Sequence, residues 1–137
     1  MEKFNRLVGL LFGTLYEEFP VPLRLDAGDY LEKTIDEDDY EGSFNFSEYF
    51  EHTVKWLETA GYIWISQDFS SMDGYEVEVV LSEKGLEVLR RVPSSLEGSE
   101  SIGERLARFA KSKTSEAVGV LISAAISSAI SNGAGVS

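Results

Sequence analysis

Apolar residues recur three or four positions apart in four stretches of the chain, which is the spacing of an amphipathic helix. The stretches cover residues 3–19, 46–60, 83–92 and about 104–131. Pro20 ends the first, because proline lacks the amide that would continue the helix. Gly61 ends the second, since glycine readily adopts the left-handed conformation of a C-terminal cap. The pattern predicts a mainly helical protein.

Two further stretches predict a β-hairpin. Residues 62–69 are rich in aromatic and β-branched side chains, and residues 75–81 alternate between apolar and polar positions. The segment between them contains Asp73-Gly74, a strong turn signal. Residues 21–25 predict a short extended piece, and Asp26 is placed to cap a short helix. The predicted fold class is α+β, mainly α.

Polar segments suggest where the helices begin and where the chain divides. Residues 36–43 predict a loop, since five carboxylates in six positions repel one another. Asn45 and Glu48 have the spacing of a capping box, and Ser82 predicts the cap of a helix whose inward residues are Leu86, Leu89 and Val92. Residues 96–103 form a Ser-, Glu- and Gly-rich linker. The prediction is a domain at 1–95 and an appended amphipathic helix at 104–137.

This order of elements resembles the winged helix-turn-helix domain of MarR- and PadR-type transcription regulators over residues 1–93. Two local patterns carry the resemblance, TVKWLETAGYI at 53–63 and LSEKGLEVL at 81–89. The resemblance implies that the first pattern ends the recognition helix and enters the wing, and that the second leaves the wing. Both patterns concern packing and capping, so they indicate a fold and say little about function.

The charge of the chain opposes DNA binding by that surface. The formal net charge is −12, and residues 62–81 contain no Lys or Arg. The matching recognition helix presents His52 and Lys55 among acidic side chains. Carboxylates set against phosphates reduce affinity. We therefore predict that the recognition helix and wing do not bind nucleic acid.

The acidic side chains are instead predicted to bind a partner protein. The candidate residues are Asp36, Glu37, Asp38, Asp39, Glu48, Glu51 and Lys55. Three other interpretations of residues 36–41 remain: a solvated loop, a mimic of nucleic-acid charge, and a Ca²⁺ or Mg²⁺ site. The metal interpretation is weak, because Tyr40 and Glu41 interrupt the ligand spacing of an EF-hand loop. No metal or cofactor is predicted.

The sequence does not predict an enzyme. It has no cysteine and a single histidine, His52, which we interpret as an exposed helix residue. Neither a nucleophile elbow nor a phosphate-binding glycine motif is present. Trp56 and Trp64 could anchor a partner, although packing in the core at the helix–hairpin junction is the preferred interpretation.

The C-terminal segment carries an apolar stripe at helical spacing. Its members are Val118, Leu121, Ile122, Ala125, Ile126 and Ala129. About 14 apolar-leaning residues are too few to span a bilayer, which needs roughly 20. Two interpretations fit the stripe, a dimerisation arm or a lid packed on its own domain, and we favour dimerisation.

The leading functional hypothesis is a non-enzymatic, cytoplasmic interaction module that forms a homodimer. The absence of cysteine fits a reducing compartment, and the N-terminal residues do not resemble a secretory signal. The second hypothesis is a dimeric transcription regulator that binds DNA through Arg90, Arg91, Arg105 and Arg108. The third is a membrane-peripheral protein held by its C-terminal helix.

Overall fold

The structure, a computed structural model, describes residues 1–93, 98–112 and 118–126. It is an α+β fold, mainly helical, with a small antiparallel sheet, as the sequence predicted. The helices are α1 (Glu2–Glu18), α2 (Leu31–Thr34), α3 (Tyr40–Phe44), α4 (Phe46–Thr59), α5 (Glu83–Arg90), α6 (Ile102–Ser112) and α7 (118–126). The strands are β1 (Leu23–Asp26), β2 (Ile63–Asp68) and β3 (Glu76–Leu81), and a short 3₁₀ turn (Ala27–Asp29) follows β1.

Helix α1 lies at the centre of the fold. Every residue from Leu7 to Phe12 is buried, and so are Gly13 and Leu15. A helix that is apolar on most of its circumference needs neighbours on several sides. Helices α2, α4, α5 and α6 and strand β3 all pack against it, and α6 makes the most extensive contact.

The sheet has the strand order β1–β3–β2, and both pairs are antiparallel. Its inner face is formed by alternate residues of each strand, as a half-buried sheet requires. These residues are Leu25, Ile63, Val77, Val79 and Leu81, each at most 1% exposed. The predicted extended piece at 21–25 is therefore realised as the edge strand β1, and the predicted hairpin is formed by β2 and β3.

Several predicted helix ends are confirmed. Asp26 accepts a hydrogen bond from the Gly28 amide at 2.7 Å, and the Ser82 hydroxyl accepts one from the Gly85 amide at 3.0 Å. Gly61 follows α4 with φ of +91°, a conformation that glycine adopts without steric cost. Asp26 and Ser82 therefore mark where the chain leaves the sheet for a helix, and Gly61 marks where it leaves α4 for the hairpin.

The prediction of a loop over residues 36–43 was wrong at its C-terminal end. Helix α3 begins at Tyr40 because Asp39 caps it, accepting a hydrogen bond from the Gly42 amide at 2.9 Å. The predicted capping box of Asn45 with Glu48 was also wrong. The Asn45 side chain makes no cap, since the residue already has near-helical dihedral angles where α3 runs into α4.

The inward face of α5 differs from the prediction at one position. Leu89 is buried and Leu86 half-buried, but Val92 is 51% exposed. The helix ends at Arg90, and Arg91 is extended, so Val92 no longer follows the helical repeat. Val88 is buried instead.

The C-terminal segment shares the core of the preceding elements. Ile102, Leu106 and Phe109 of α6 belong to the same buried cluster as α1 and the sheet. Helix α6 begins with a capping box, in which Ser101 Oγ accepts from the Glu104 amide and Glu104 Oε1 accepts from the Ser101 amide, both at 3.1 Å. The segment predicted as an appendage is thus packed on the predicted domain.

Candidate interaction site

The four loop carboxylates at 36–39 are all exposed, as a partner-binding role requires. Two of them also have structural roles. Asp36 Oδ1 lies 3.4 Å from Arg6 Nη1 in α1, and Asp39 caps α3. Glu37 and Asp38 project from the loop, and neither makes an ion pair with another described residue. The loop therefore offers carboxylates for a partner at one edge of the fold.

Helix α4 places the other three candidate residues on a single face. Glu48, Glu51 and Lys55 are separated by three and four positions, so they follow one side of the helix. The Lys55 ammonium lies 2.6 Å from Glu51 Oε2. His52 is exposed on the same stretch, as predicted. Lys55 is thus already paired with one of the carboxylates expected to bind a partner.

A groove of about 330 Å³ lies between α4 and the hairpin. We call it the α4–hairpin groove. Its lining residues are Glu51, Lys55, Asp68, Ser70, Ser71, Gly74 and Tyr75. The Lys55 ammonium lies 5.8 Å from the centre of the Tyr75 ring, within the range of a cation–π contact. Carboxylates and an aromatic ring thus surround one ammonium.

The pKa shifts in this groove follow from its hydrogen bonds, from burial and from the charges of its neighbours. Hydrogen bonds from Ser70 lower the pKa of Asp68, and the nearby charge of Lys55 lowers it further. The hydrogen bond to Glu51 raises the pKa of Lys55. Partial burial, together with Asp68, Glu51 and Glu58, raises the pKa of Tyr75 to about 12. At neutral pH the groove therefore combines the ionised carboxylate of Asp68, the ammonium of Lys55 and the neutral phenol of Tyr75.

We expect the Asp68 carboxyl to titrate below its ordinary value of 3.8 in the folded protein. Because its folded pKa is depressed, its ionised form favours folding above the unfolded pKa, and this contribution disappears as the pH falls through the folded pKa. Carboxyl NMR titration of Asp68, with and without urea, measures the difference. Lys55→Ala should move the folded midpoint upward. A folded midpoint at or above the unfolded midpoint would contradict the hydrogen-bond geometry.

The sequence did not reveal that two cations of α1 contact the acidic loop and α4. Lys3 Nζ lies 4.5 Å from the centre of the Tyr49 ring in α4, and Arg6 bonds to both Glu2 and Asp36. Lys3 and Arg6 share one side of the first turns of α1. Arg6 therefore lies beside a loop carboxylate, and Lys3 lies against an aromatic ring of α4.

The hairpin also receives a cation from outside its own sequence. Arg24 of β1 forms an ion pair with Glu76, and its guanidinium lies 3.9 Å from the centre of the Phe69 ring. Arg24 stands opposite Glu78 in the β1–β3 register, and Glu76 is two positions from Glu78 on the same face of β3. The pairing of the two strands therefore brings Arg24 to Glu76. Part of the acidic charge of the hairpin is thus balanced within the sheet.

The two tryptophans are not core residues, contrary to the preferred interpretation. Trp56 is 44% exposed and Trp64 is 58% exposed. Trp56 covers the junction from outside, with its ring centre 6.3 Å from that of Tyr62 and 5.5 Å from that of Phe4. Trp64 lies on the solvent side of β2, because its neighbour Ile63 takes the core side.

Most of the C-terminal stripe is buried within the single chain. Val118, Leu121, Ile122 and Ala125 are each at most 5% exposed, and Ile126 packs partly against the same cluster. Ala129 lies outside the described residues. In the structure these five side chains pack on their own domain, the second of the two arrangements left open by the sequence. Self-association through them would require α7 to exchange its core contacts for those of another chain.

Three of the four arginines proposed as an alternative DNA surface contact acidic residues. Arg91 pairs with Glu87 at 3.2 Å, and Arg108 pairs with Glu100 at 2.7 Å. The Arg105 guanidinium also approaches the Glu100 carbonyl oxygen, at 3.5 Å. These ion pairs reduce the positive potential that a phosphate would meet.

Within the described residues, no group of three His, Cys, Asp or Glu side chains is arranged to hold a metal ion. No helix in this part of the chain is long and apolar enough to cross a membrane. No protein-family model matches the sequence, and no curated protein and no solved structure is significantly similar to it. The geometry and charge of the chain therefore carry the functional argument.

Proposed function

We propose that the chain is a non-enzymatic protein-interaction module that binds a basic segment of a partner protein. The binding surface combines the α4–hairpin groove with the acidic face, defined as Asp36, Glu37, Asp38, Asp39, Glu48 and Glu51. One observation carries the proposal: the α4–hairpin groove already holds an ammonium, that of Lys55, against Glu51. The same carboxylate and aromatic groups suit a Lys or Arg side chain of a partner.

The arrangement of elements supports a winged-helix type for this module. Helix α4 immediately precedes the β2–β3 hairpin, and β1 pairs with β3 at the opposite edge of the sheet. By the resemblance to MarR- and PadR-type regulators, α4 takes the place of the recognition helix and the hairpin takes that of the wing. A protein partner would then occupy the side on which DNA-binding members hold a duplex.

The charge of this side favours a basic protein over DNA. Glu48 on α4 is exposed, and Asp68 and Asp73 are exposed on the hairpin. A phosphate backbone placed there would meet carboxylates, whereas Lys and Arg side chains would pair with them. Self-association through the C-terminal stripe is not part of the proposal, because α7 buries these side chains in its own chain.

Lys55→Ala should strengthen binding of a Lys/Arg-rich peptide, whereas Glu51→Gln should weaken it. The first change removes the cation that competes for the groove, and the second removes a carboxylate that would pair with the peptide. Each affinity should change about fivefold, which corresponds to about 1 kcal/mol for a partly exposed ion pair. Fluorescence anisotropy with a labelled peptide at low ionic strength measures both changes.

The chain provides a matched control in the ion pair of Lys111 with Glu17. It is also an exposed Lys–Glu pair, with its charged atoms 2.7 Å apart, but it joins α6 to α1 away from the groove. Lys111→Ala and Glu17→Gln change the net charge by the same amounts and should leave the affinity within about twofold of wild type. The proposal fails if the peptide does not bind in a salt-dependent manner, or if the two pairs respond alike.

A further inference from the structure

Helix α3 exposes two aromatic rings that the fold does not use. Tyr40 is 81% exposed and Phe44 is 88% exposed, and no residue of α3 is buried. They are four positions apart, so they lie on one side of this short helix. An aromatic side chain buries roughly 150–250 Å² when it is packed, so two such rings in water represent a large unused apolar surface.

Local hydrogen bonds hold α3 in place without help from these rings. Asp39 caps its first turn, and the Asn45 amide donates to the Glu41 carbonyl oxygen at 3.0 Å at its end. The helix then continues directly into α4, whose Phe46 and Phe50 are in the core. Tyr40 and Phe44 are therefore presented on a segment of defined conformation.

Exposed carboxylates flank this aromatic pair along the chain. The loop at 36–39 precedes it, Glu41 lies within α3, and Glu48 follows in the first turn of α4, all of them exposed. A purely apolar partner would remove these carboxylates from water without pairing them, which is unfavourable. Lys and Arg side chains would both pair with the carboxylates and lie against the ring faces.

This charge also argues against other occupants of the aromatic pair. A second copy of the chain would bring another net charge of −12 against an acidic surface. Residues 127–137, at the C-terminus of the sequence, contain no Lys or Arg. The complementary occupant is a segment of another protein that carries both apolar and basic side chains.

We propose that Tyr40 and Phe44 anchor a basic amphipathic segment of a partner protein, whose cations pair with the surrounding carboxylates. This inference rests on the proposed function and adds an apolar selectivity to it. The α4–hairpin groove would accept any basic chain, whereas Tyr40 and Phe44 would favour one with apolar residues between its cations. Aromatic anchors of this kind supply much of the affinity of many protein interfaces.

Two synthetic peptides of equal charge test the inference, a Lys/Leu amphipathic helix and a counterpart in which each Leu is replaced by Ser. Wild-type protein should bind the Lys/Leu peptide about tenfold more tightly. The double variant Tyr40→Ala/Phe44→Ala should lose this preference and keep its affinity for the Lys/Ser peptide. Trp64→Ala, which removes an exposed ring outside α3, should keep the preference.

The outcomes separate this inference from the proposed function. Salt-dependent binding of both peptides with equal affinity would overturn the aromatic anchor and leave the basic-partner function standing. Absence of binding by either peptide would overturn both. A concentration-dependent solution mass that the double variant abolishes would show that a second copy covers the rings, and would overturn the inference. Thermal unfolding of the double variant should match wild type, since both rings are exposed.

Discussion

Ile122→Asp is expected to destabilise the protein by about 4 kcal/mol, because it places a carboxylate in the hydrophobic core. Ile122 is 1% exposed and lies in the core with the neighbouring members of the stripe. Helix α7 packs directly on α1, where a Cβ at Gly9 would lie 2.6 Å from Val118 Cγ2. Thermal unfolding should show a decrease in Tm of roughly 12 °C.

Val120→Asp is the matched control, since it introduces the same charge into the same helix. Val120 is 50% exposed, so its aspartate stays in water and should cost less than about 1 kcal/mol. The loss in Ile122→Asp should not depend on protein concentration, because the contacts lie within one chain. Equal effects of the two substitutions would contradict the burial of α7. A wild-type Tm that rises with concentration, and a loss of this rise in Ile122→Asp, would assign the stripe to an interface between chains.

Comparing Ile122→Asp with Val120→Asp tests whether the stripe is covered by its own chain, which the periodicity of the sequence cannot show. An apolar stripe states that one face of a helix is buried, but it has the same spacing whether the covering surface belongs to the same chain or to another. The decisive feature is on α1, where Gly9 leaves room for Val118. Such a pairing between distant segments is a property of the tertiary structure, so the sequence left both interpretations open.

Local signals predicted the backbone well where one residue alone determined the geometry. Gly61 and the Asp73-Gly74 turn lie where the sequence placed them, and Ser82 caps α5 as predicted. Capping boxes were less reliable, because the motif does not reveal the conformation of the preceding residues. Asn45 fails to cap since α3 leads directly into α4, whereas Ser101 forms the box with Glu104 after residues 98–100, which are not helical.

The candidate site could be predicted in composition but not in arrangement. The acidic residues are evident in the sequence, and the spacing of Glu48, Glu51 and Lys55 predicts a common face. The contact of Lys55 with the hairpin groove depends on how α4 packs on the sheet, and Arg6 meets Asp36 only because α1 crosses the loop. The sequence therefore predicted an acidic surface that includes Lys55, and it missed the contacts of Arg6 and Lys3 of α1.

Gly13→Ala is expected to destabilise the fold by about 2–3 kcal/mol, although alanine is intrinsically the better helix former by about 1 kcal/mol. A Cβ at position 13 would lie 2.5 Å from the Leu106 carbonyl carbon and 2.8 Å from the Ala107 amide nitrogen. Both are backbone atoms, so no side-chain rotation can relieve the overlap. Helices α1 and α6 would have to separate, which would loosen the most extensive helix contact of the fold.

Gly119→Ala provides the comparison, because it is the same substitution in another helix. Among the described residues its Cβ would meet only the Asn5 side-chain amide, at 3.4 Å, so the helix preference of alanine should leave stability unchanged or raise it by up to about 1 kcal/mol. Urea unfolding of both variants measures the difference, and amide hydrogen exchange should accelerate in α6 for Gly13→Ala alone. Equal stability of Gly13→Ala and Gly119→Ala would contradict the close backbone contact between α1 and α6 at Gly13. The C-terminal segment would then be a separate appendage of the domain.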